Sequence, residues 1–293
     1  MRKDLLLCQF KEGMKTLSIG IIVLLLFGAC SNGQGAKRVN SGVVTVDSVA
    51  ADSVAADSVR AMMDVPENLD ETFDDFVYTY ASDKQFQLYR THFPLPYKED
   101  SVQTTIARSA WIHDALYTNL EFYNMLFDSE PDMEYEKKTD VNRVYVSWLF
   151  LDTSKTRRYH FERVNGRWML EDIEETSLKN DPNEDFLQFF YKFCNDSIFQ
   201  REHVESPLKF VTTDPDDDFN VMEAFIEVDQ WFAFRPNLPK DKMTNINYGQ
   251  PYSPLSKEKI VTFRGIGSGY SNTLFFSRKH DEWYLSSFED LSN

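Results

Sequence analysis

Phe73-Asp-Asp-Phe76-Val-Tyr78-Thr-Tyr80-Ala-Ser-Asp83-Lys-Gln-Phe86-Gln87 is restated 113 residues later as Phe186-Leu-Gln-Phe189-Phe-Tyr191-Lys-Phe193-Cys-Asn-Asp196-Ser-Ile-Phe199-Gln200. Phe73, Phe76, Tyr78, Asp83, Phe86 and Gln87 keep their identity, and Pro94-Leu95 against Pro207-Leu208 continues the match. Tyr80 is exchanged for another aromatic, Phe193. A later pair, Gly166-Arg-Trp168-Met-Leu170-Glu-Asp-Ile173-Glu174 and Asp281-Glu-Trp283-Tyr-Leu285-Ser-Ser-Phe288-Glu289, repeats at a shift of 115. Self-similarity at a fixed period is the signature of a duplicated unit. Two tandem modules are therefore expected, at 67–178 and 179–293.

Each module opens with apolar residues at Phe73, Phe76 and Tyr80, or Phe186, Phe189 and Phe193, the i, i+3, i+7 spacing of an amphipathic helix. Asp181-Pro-Asn-Glu184 reads as a helix entrance with Asp181 as the cap. Pro94, Pro96 and Pro207 stop the helical region, which leaves one helix per module. Antiparallel strands follow. Val144, Val146, Trp148 and Phe150 alternate with Tyr145, Ser147, Leu149 and Leu151, and Asn165-Gly166 before Trp168 is a hairpin signal. The second module gives strands over 260–264, 273–278 and 283–285. Helices first and a meandering sheet afterwards indicate an α+β class, each module a helical segment packed on an antiparallel sheet.

Upstream of the modules the composition changes. Residues 31–66 repeat Asp-Ser-Val at Asp47, Asp52 and Asp57, a period of five that fits neither helix nor strand, with no aromatic residue to seed a core. Residues 30–66 thus read as a disordered tether. As a flexible coil it holds the folded part on the order of 35 Å from its anchor. Before it, Lys15, an apolar run from Leu17 and the small pair Gly28-Ala29 have the layout of a secretory signal. The run is much shorter than the roughly 20 residues that span a bilayer. Met14 is an alternative start, since Asp4 and Glu12 fit poorly in a basic head.

Leu26-Phe-Gly-Ala-Cys30 resembles the cleavage site of bacterial lipoproteins. The resemblance implies that residues 1–29 are a signal peptide and that Cys30 becomes the lipidated first residue, attaching the protein to the membrane of the cell envelope. Several acyl chains anchor far better than one. The stretch after Cys30 has no acidic run of the kind associated with surface export, which favours a periplasm-facing orientation, and the expected position is the outer membrane. Removing residues 1–29 takes away four basic and two acidic residues and moves the net charge from −16 to −18, which argues against nucleic acid as a partner.

The modules themselves resemble the nuclear transport factor 2-like superfamily, through the Phe-x-x-Phe of Phe73 and Phe76, the Phe86-Gln87 pair and Pro94-Leu95. Envelope lipoproteins of unknown function in gut-type Gram-negative bacteria carry the same elements. The resemblance implies two cone-shaped domains, each wrapping a curved sheet around its helices. Such cones house isomerases and dehydratases as well as many non-catalytic binders.

No constellation names a reaction. Tyr78 and Tyr191, and Asp83 and Asp196, recur in both modules, but packing and helix ends explain them as well as acid–base chemistry does. The five histidines show no paired metal spacing. Asp214-Pro-Asp-Asp-Asp218 lacks the glycine and terminal glutamate of a calcium loop. Gly265-Ile-Gly267-Ser-Gly269 joins two strands, with no helix to receive a phosphate. No catalytic residue, metal or cofactor is assigned. Cys194, in Phe190-Tyr-Lys-Phe-Cys194, reads as a buried inert thiol. Trp168 and Trp283 sit at equivalent strand positions and read as core. Trp111 and Trp231 lie in the middle segments, where the modules differ, and are the candidate ligand-binding residues. The favoured reading is a lipid-anchored, non-catalytic module that binds a small ligand or an envelope protein. The alternative is a small-molecule isomerase, dehydratase or hydrolase using a polar cone pocket.

Overall fold

Thr72 starts the first helix: its hydroxyl accepts from the Asp75 amide at 3.1 Å, and Asp74 and Asp75 lie at the positive end of the helix. That helix, α1 (Phe73–Ser82), buries Phe73, Phe76 and Tyr80. A second helix, α2 (Lys84–Tyr89), follows at once. The structure, a computed structural model, describes residues 68–253 and 255–293. The expected signal peptide at 1–29, Cys30 and the expected tether up to residue 66 lie outside the described residues.

The one-helix expectation fails because the repeated aspartate breaks the helix. Asp83 is extended, and its carboxylate accepts from the Gln85 and Phe86 amides at 2.7 and 3.0 Å, capping α2. Asp196 does the same between α3 (Glu184–Asn195) and α4 (Ser197–Glu202), accepting from Ile198 and Phe199 at 2.9 and 3.1 Å. Asp181 does not cap α3. Asn183 holds that position, and Asp181 accepts from the Asn183 amide one turn earlier.

The repeated glutamine braces each helix pair. Gln87 donates to the Tyr80 carbonyl at 2.9 Å, and Gln200 donates to the Phe193 carbonyl at 2.8 Å. Pro94 and Pro207 both follow cis peptide bonds. Phe73 meets Trp168 edge-on at 5.3 Å, and Phe186 meets Trp283 edge-on at 5.3 Å. Trp168 and Trp283 are buried. Apart from the exposed Tyr78, the residues that repeat in sequence are thus capping, bracing and core residues.

The strands are β1 (Leu95–Glu99), β2 (Val102–Ile106), β3 (Phe122–Phe127), β4 (Arg143–Phe150), β5 (Lys155–Val164) and β6 (Arg167–Ser177) in the first half. The second half supplies β7 (Val204–Asp214), β8 (Asp217–Ile226), β9 (Lys242–Asn247), β10 (Glu258–Gly265), β11 (Ser271–Lys279) and β12 (Glu282–Asp290), with α5 (Val228–Phe234) between β8 and β9. One sheet runs β2-β1-β6-β5-β4-β9 and the other β8-β7-β12-β11-β10-β3. The two orders are equivalent strand for strand. In both, the β1–β6 or β7–β12 pair is parallel and the remaining pairs are antiparallel.

Each half therefore gives its third strand to the other half's sheet. β3 pairs with β10 and β9 pairs with β4. The two exchanged strands also meet. Thr244 and Asn124, at equivalent positions, bond each other: the Asn124 amide donates to Thr244 Oγ1 at 2.6 Å, and that hydroxyl donates to the Asn124 carbonyl at 3.1 Å. The Leu126 amide donates to Asn245 Oδ1 at 3.0 Å. Side chains of β9 thus satisfy edge amides of β3 that would otherwise be buried without partners.

The exchange also mixes the cores. The first core gathers α1, α2 and the inner face of the first sheet, and adds Ile246, Tyr248 and Ile260 from the second half. The second core gathers α3 and its sheet, and adds Leu126, Leu149 and Leu151 from the first half.

Candidate functional site

Inner and outer faces of the first sheet alternate residue by residue. On β5, Tyr159 and Phe161 point into the core while Arg158 and His160 point away from it. Two polar arrangements result, one on each face.

On the inner face, Tyr159 donates to Asp114 Oδ2 at 2.5 Å. Arg157 donates to the Tyr159 oxygen and, at 2.5 Å, to Glu175 Oε1, which Tyr97 also engages. Burial and then the nearby Asp114 charge hold Tyr159 well above the usual phenol range. Burial, followed by Glu175, pushes Tyr97 up to about 12. Both phenols therefore remain protonated donors at physiological pH.

The second sheet has no counterpart. By register, Phe210 stands where Tyr97 does, Leu274 where Tyr159 does, and Asn272 where Arg157 does. Phe210 stacks on Phe288 at 5.3 Å and on Phe234 at 6.0 Å, so this face is filled by aromatic rings.

On the outer face, a groove of about 780 Å³ crosses β2, β1, β6, β5 and β4. Tyr145 and His160 stand side by side on its floor, rings stacked at 4.8 Å. His160 Nδ1 lies 2.8 Å from Asp172 Oδ2. A carboxylate only accepts, so Nδ1 carries the hydrogen of this bond. Nε2 itself is buried and has no protein partner. Lys98 Nζ donates to Glu174 Oε1 at 2.7 Å. The Arg158 guanidinium sits 3.8 Å from Glu174 and 3.8 Å from Asp181, and 5.7 Å from the centre of the Tyr145 ring.

The matching place on the second sheet is a shallow depression of about 170 Å³. Ile260 replaces Tyr145 there, Phe275 replaces His160 and Ser287 replaces Asp172. Ile260 and Phe275 pack against the first half's core, which closes the space.

The two tryptophans singled out from sequence are not brought together, and neither lines the groove. Trp231 is a correction: it is fully buried on α5, edge-on to Phe288 at 5.2 Å, because the apolar face of that helix packs into the second core. A ligand cannot touch it without displacing core. Trp111 is half-buried beside Phe93, and its indole N–H donates to Gln87 Oε1 at 3.0 Å. It extends the glutamine brace. Cys194 is a free thiol whose ionisation is pushed up by burial. Among the described residues, no three His, Cys, Asp or Glu side chains converge as metal ligands, and no helix is long and apolar enough to cross a membrane.

Tyr145, Asp172 and Glu174 were missed from sequence. Their signal was the polar alternate of a strand whose other positions are core, which by itself marks any solvated sheet face.

Over residues 52–290 the chain matches the family model described as a domain of unknown function, DUF4348. No curated protein matches the chain. Among solved structures, the crystal structure of an NTF2-like protein from Bacteroides fragilis NCTC 9343 is similar, with 46% identity and a TM-score of 0.74. The match covers 78% of this chain and 99% of that one.

Proposed function

The chain belongs to the family of the domain of unknown function DUF4348 and has an NTF2-like α+β fold, and on that footing we propose that it is a lipid-anchored, non-catalytic binding module of the bacterial envelope. Its ligand lies in the outer groove of the first sheet. In this reading residues 67–178 and 179–293 are tandem copies of one NTF2-like unit that have exchanged a strand. Cys30 carries the lipid, residues 30–66 form the tether, and the folded part faces the periplasm from the outer membrane.

One observation carries the binding assignment. At equivalent positions the halves keep their helix caps, glutamine braces and paired core aromatics; the sheets differ on both faces, and the outward differences are the ones that open a groove. Tyr145, His160 and Asp172 floor a groove of about 780 Å³, while Ile260, Phe275 and Ser287 leave about 170 Å³. The larger volume lies within the roughly 300–1,000 Å³ of ordinary ligand sites.

The test is thermal unfolding of the chain from residue 31 onward against a library of polar small molecules and oligomers. A ligand at 100 times its Kd adds about 2.7 kcal/mol, which raises Tm by about 5–10 °C for a domain of this size. Shifts of that size are expected to disappear in His160→Ala and Arg158→Ala and to persist in Tyr159→Phe. Shifts lost only in Tyr159→Phe would move the site to the inner face. For the anchor, labelling of cells with alkyne-tagged palmitate is expected to mark the wild type and not Cys30→Ala. Equal labelling of both would refute lipidation at Cys30.

A second reading, a small-molecule isomerase, dehydratase or hydrolase, is favoured by the 2.5 Å Tyr159–Asp114 bond on the inner face. It requires the single O–H of Tyr159 to turn from Asp114 to the substrate, and Tyr159→Phe removes that donor.

A further inference from the structure

Resting on the groove assignment above, we propose that the groove takes a neutral, polyhydroxylated ligand, a segment of an uncharged glycan. The charges on its walls are already answered by one another. Lys98 is spent on Glu174 at 2.7 Å, Arg158 is held between two carboxylates, and Asp172 is hydrogen-bonded to His160 Nδ1 at 2.8 Å. An ionic ligand has to break one of these pairs to gain its own. An anion also meets a chain of net charge −16.

Hydrogen-bonding capacity, by contrast, is left over. Arg158 lies 3.8 Å from both of its carboxylates, beyond hydrogen-bond distance, so its donors are unspent on them. Lys98 has three N–H donors and one bond to Glu174. Asp172 takes one bond from His160, and a carboxylate has about four lone-pair sites. Donors and acceptors therefore alternate along the groove. A hydroxyl is donor and acceptor at once and suits such a row.

The geometry disfavours a peptide. An extended peptide gains its affinity from main-chain bonds to a free sheet edge and from pockets for alternate side chains. This groove runs across the face of the sheet, where the backbones of β1, β6, β5 and β4 are engaged on both sides in their ladders, and only the edge strand β2 pairs on one side alone. Over those four strands only side chains offer bonds. From β2 to β4 the floor spans four inter-strand steps, about 19 Å, a length for several linked sugar rings.

Calorimetric titration of the chain from residue 31 onward tests this, with neutral malto-, cello-, xylo- and manno-hexaose as probes. Oligogalacturonate and a glycine–serine octapeptide are the charged and peptide comparators. At least one neutral hexaose is expected to bind, with Kd raised tenfold or more in Arg158→Ala and in Lys98→Ala. In Tyr159→Phe, and in Ser287→Ala on the second sheet, Kd is expected to be unchanged. Urea unfolding of each variant separates lost binding from lost folding. Binding of none of the neutral probes overturns the inference. Binding of oligogalacturonate or the octapeptide alone, lost in Arg158→Ala, also overturns it while leaving the groove as the site. Binding that neither Arg158→Ala nor Lys98→Ala weakens overturns both.

Discussion

Lys259→Met is expected to destabilise the protein by about 3–5 kcal/mol, the loss that follows when one member of a buried ion pair is removed. Lys259, on β10, and Asp128, just after β3, are 3% and 8% exposed and bonded to each other. Lys259 also donates to Asn183 Oδ1 at 2.6 Å, at the start of α3. Asp128 accepts from the Ser253 amide at 2.6 Å. The methionine fills the same space but leaves the carboxylate buried without its cation. Pairing Lys259→Met with Asp128→Leu removes both charges and is expected to recover most of the loss, since an apolar pair of similar volume is often neutral. Urea unfolding of the two variants provides the measurement. A single-variant loss below about 1 kcal/mol would place the pair in the solvated class. The position of this pair gives it a topological meaning, because it fastens the end of an exchanged strand to the sheet that received it.

Residues 68–178 alone are expected not to fold as a monomer. Cut off from the second half, β4 loses β9 from its edge, β3 loses the sheet it belongs to, and the first core loses Ile246, Tyr248 and Ile260. At about 1.5–3 kcal/mol for each buried apolar side chain, this comes to about 5–9 kcal/mol. A domain has only about 5–15 kcal/mol in all. Far-UV circular dichroism and sedimentation of the fragment are expected to show an unfolded or self-associated species. Addition of residues 179–293 is expected to restore a one-to-one complex. A well-dispersed NMR spectrum from a monomeric fragment would mean that the exchanged strand is dispensable.

What could be read from sequence follows the range of each signal. The helices were legible at Phe73, Phe76 and Tyr80 because 3.6-residue periodicity is local. Their interruption was carried by Asp83 and Asp196, whose role as caps shows only once the next helix is seen. The Asn165-Gly166 turn was legible because both residues tolerate the left-handed conformation they adopt, with φ of 50° and 78°. His280 and Asp281 make the same turn, with φ of 51° and 66°, without a glycine. The exchange of β3 and β9 had no sequence signal, since a strand's own pattern does not name its neighbour. Burial of β3 on both faces is its only trace, and one face feeds each core.

The site was less legible than the fold. Position outside the repeat makes Trp111 and Trp231 look like pocket walls, yet Trp231 fills a core and Trp111 ties a brace. The groove comes from outward residues on five strands, and only their register brings Tyr145, His160 and Asp172 side by side. Alternation along β5 turns His160 outward, and its register opposite Asp172 holds up to the shift between His160 and Phe161.

The assignment of the ligand to the outer face of the first sheet is tested most directly by a crystal structure of the protein with the ligand that gives the largest thermal shift. The expected result is density over His160 and Arg158, between the β1–β2 hairpin and Tyr145. Density on the inner face, over Tyr159 and Asp114, would contradict it and make the Tyr159–Asp114 pair the centre of function.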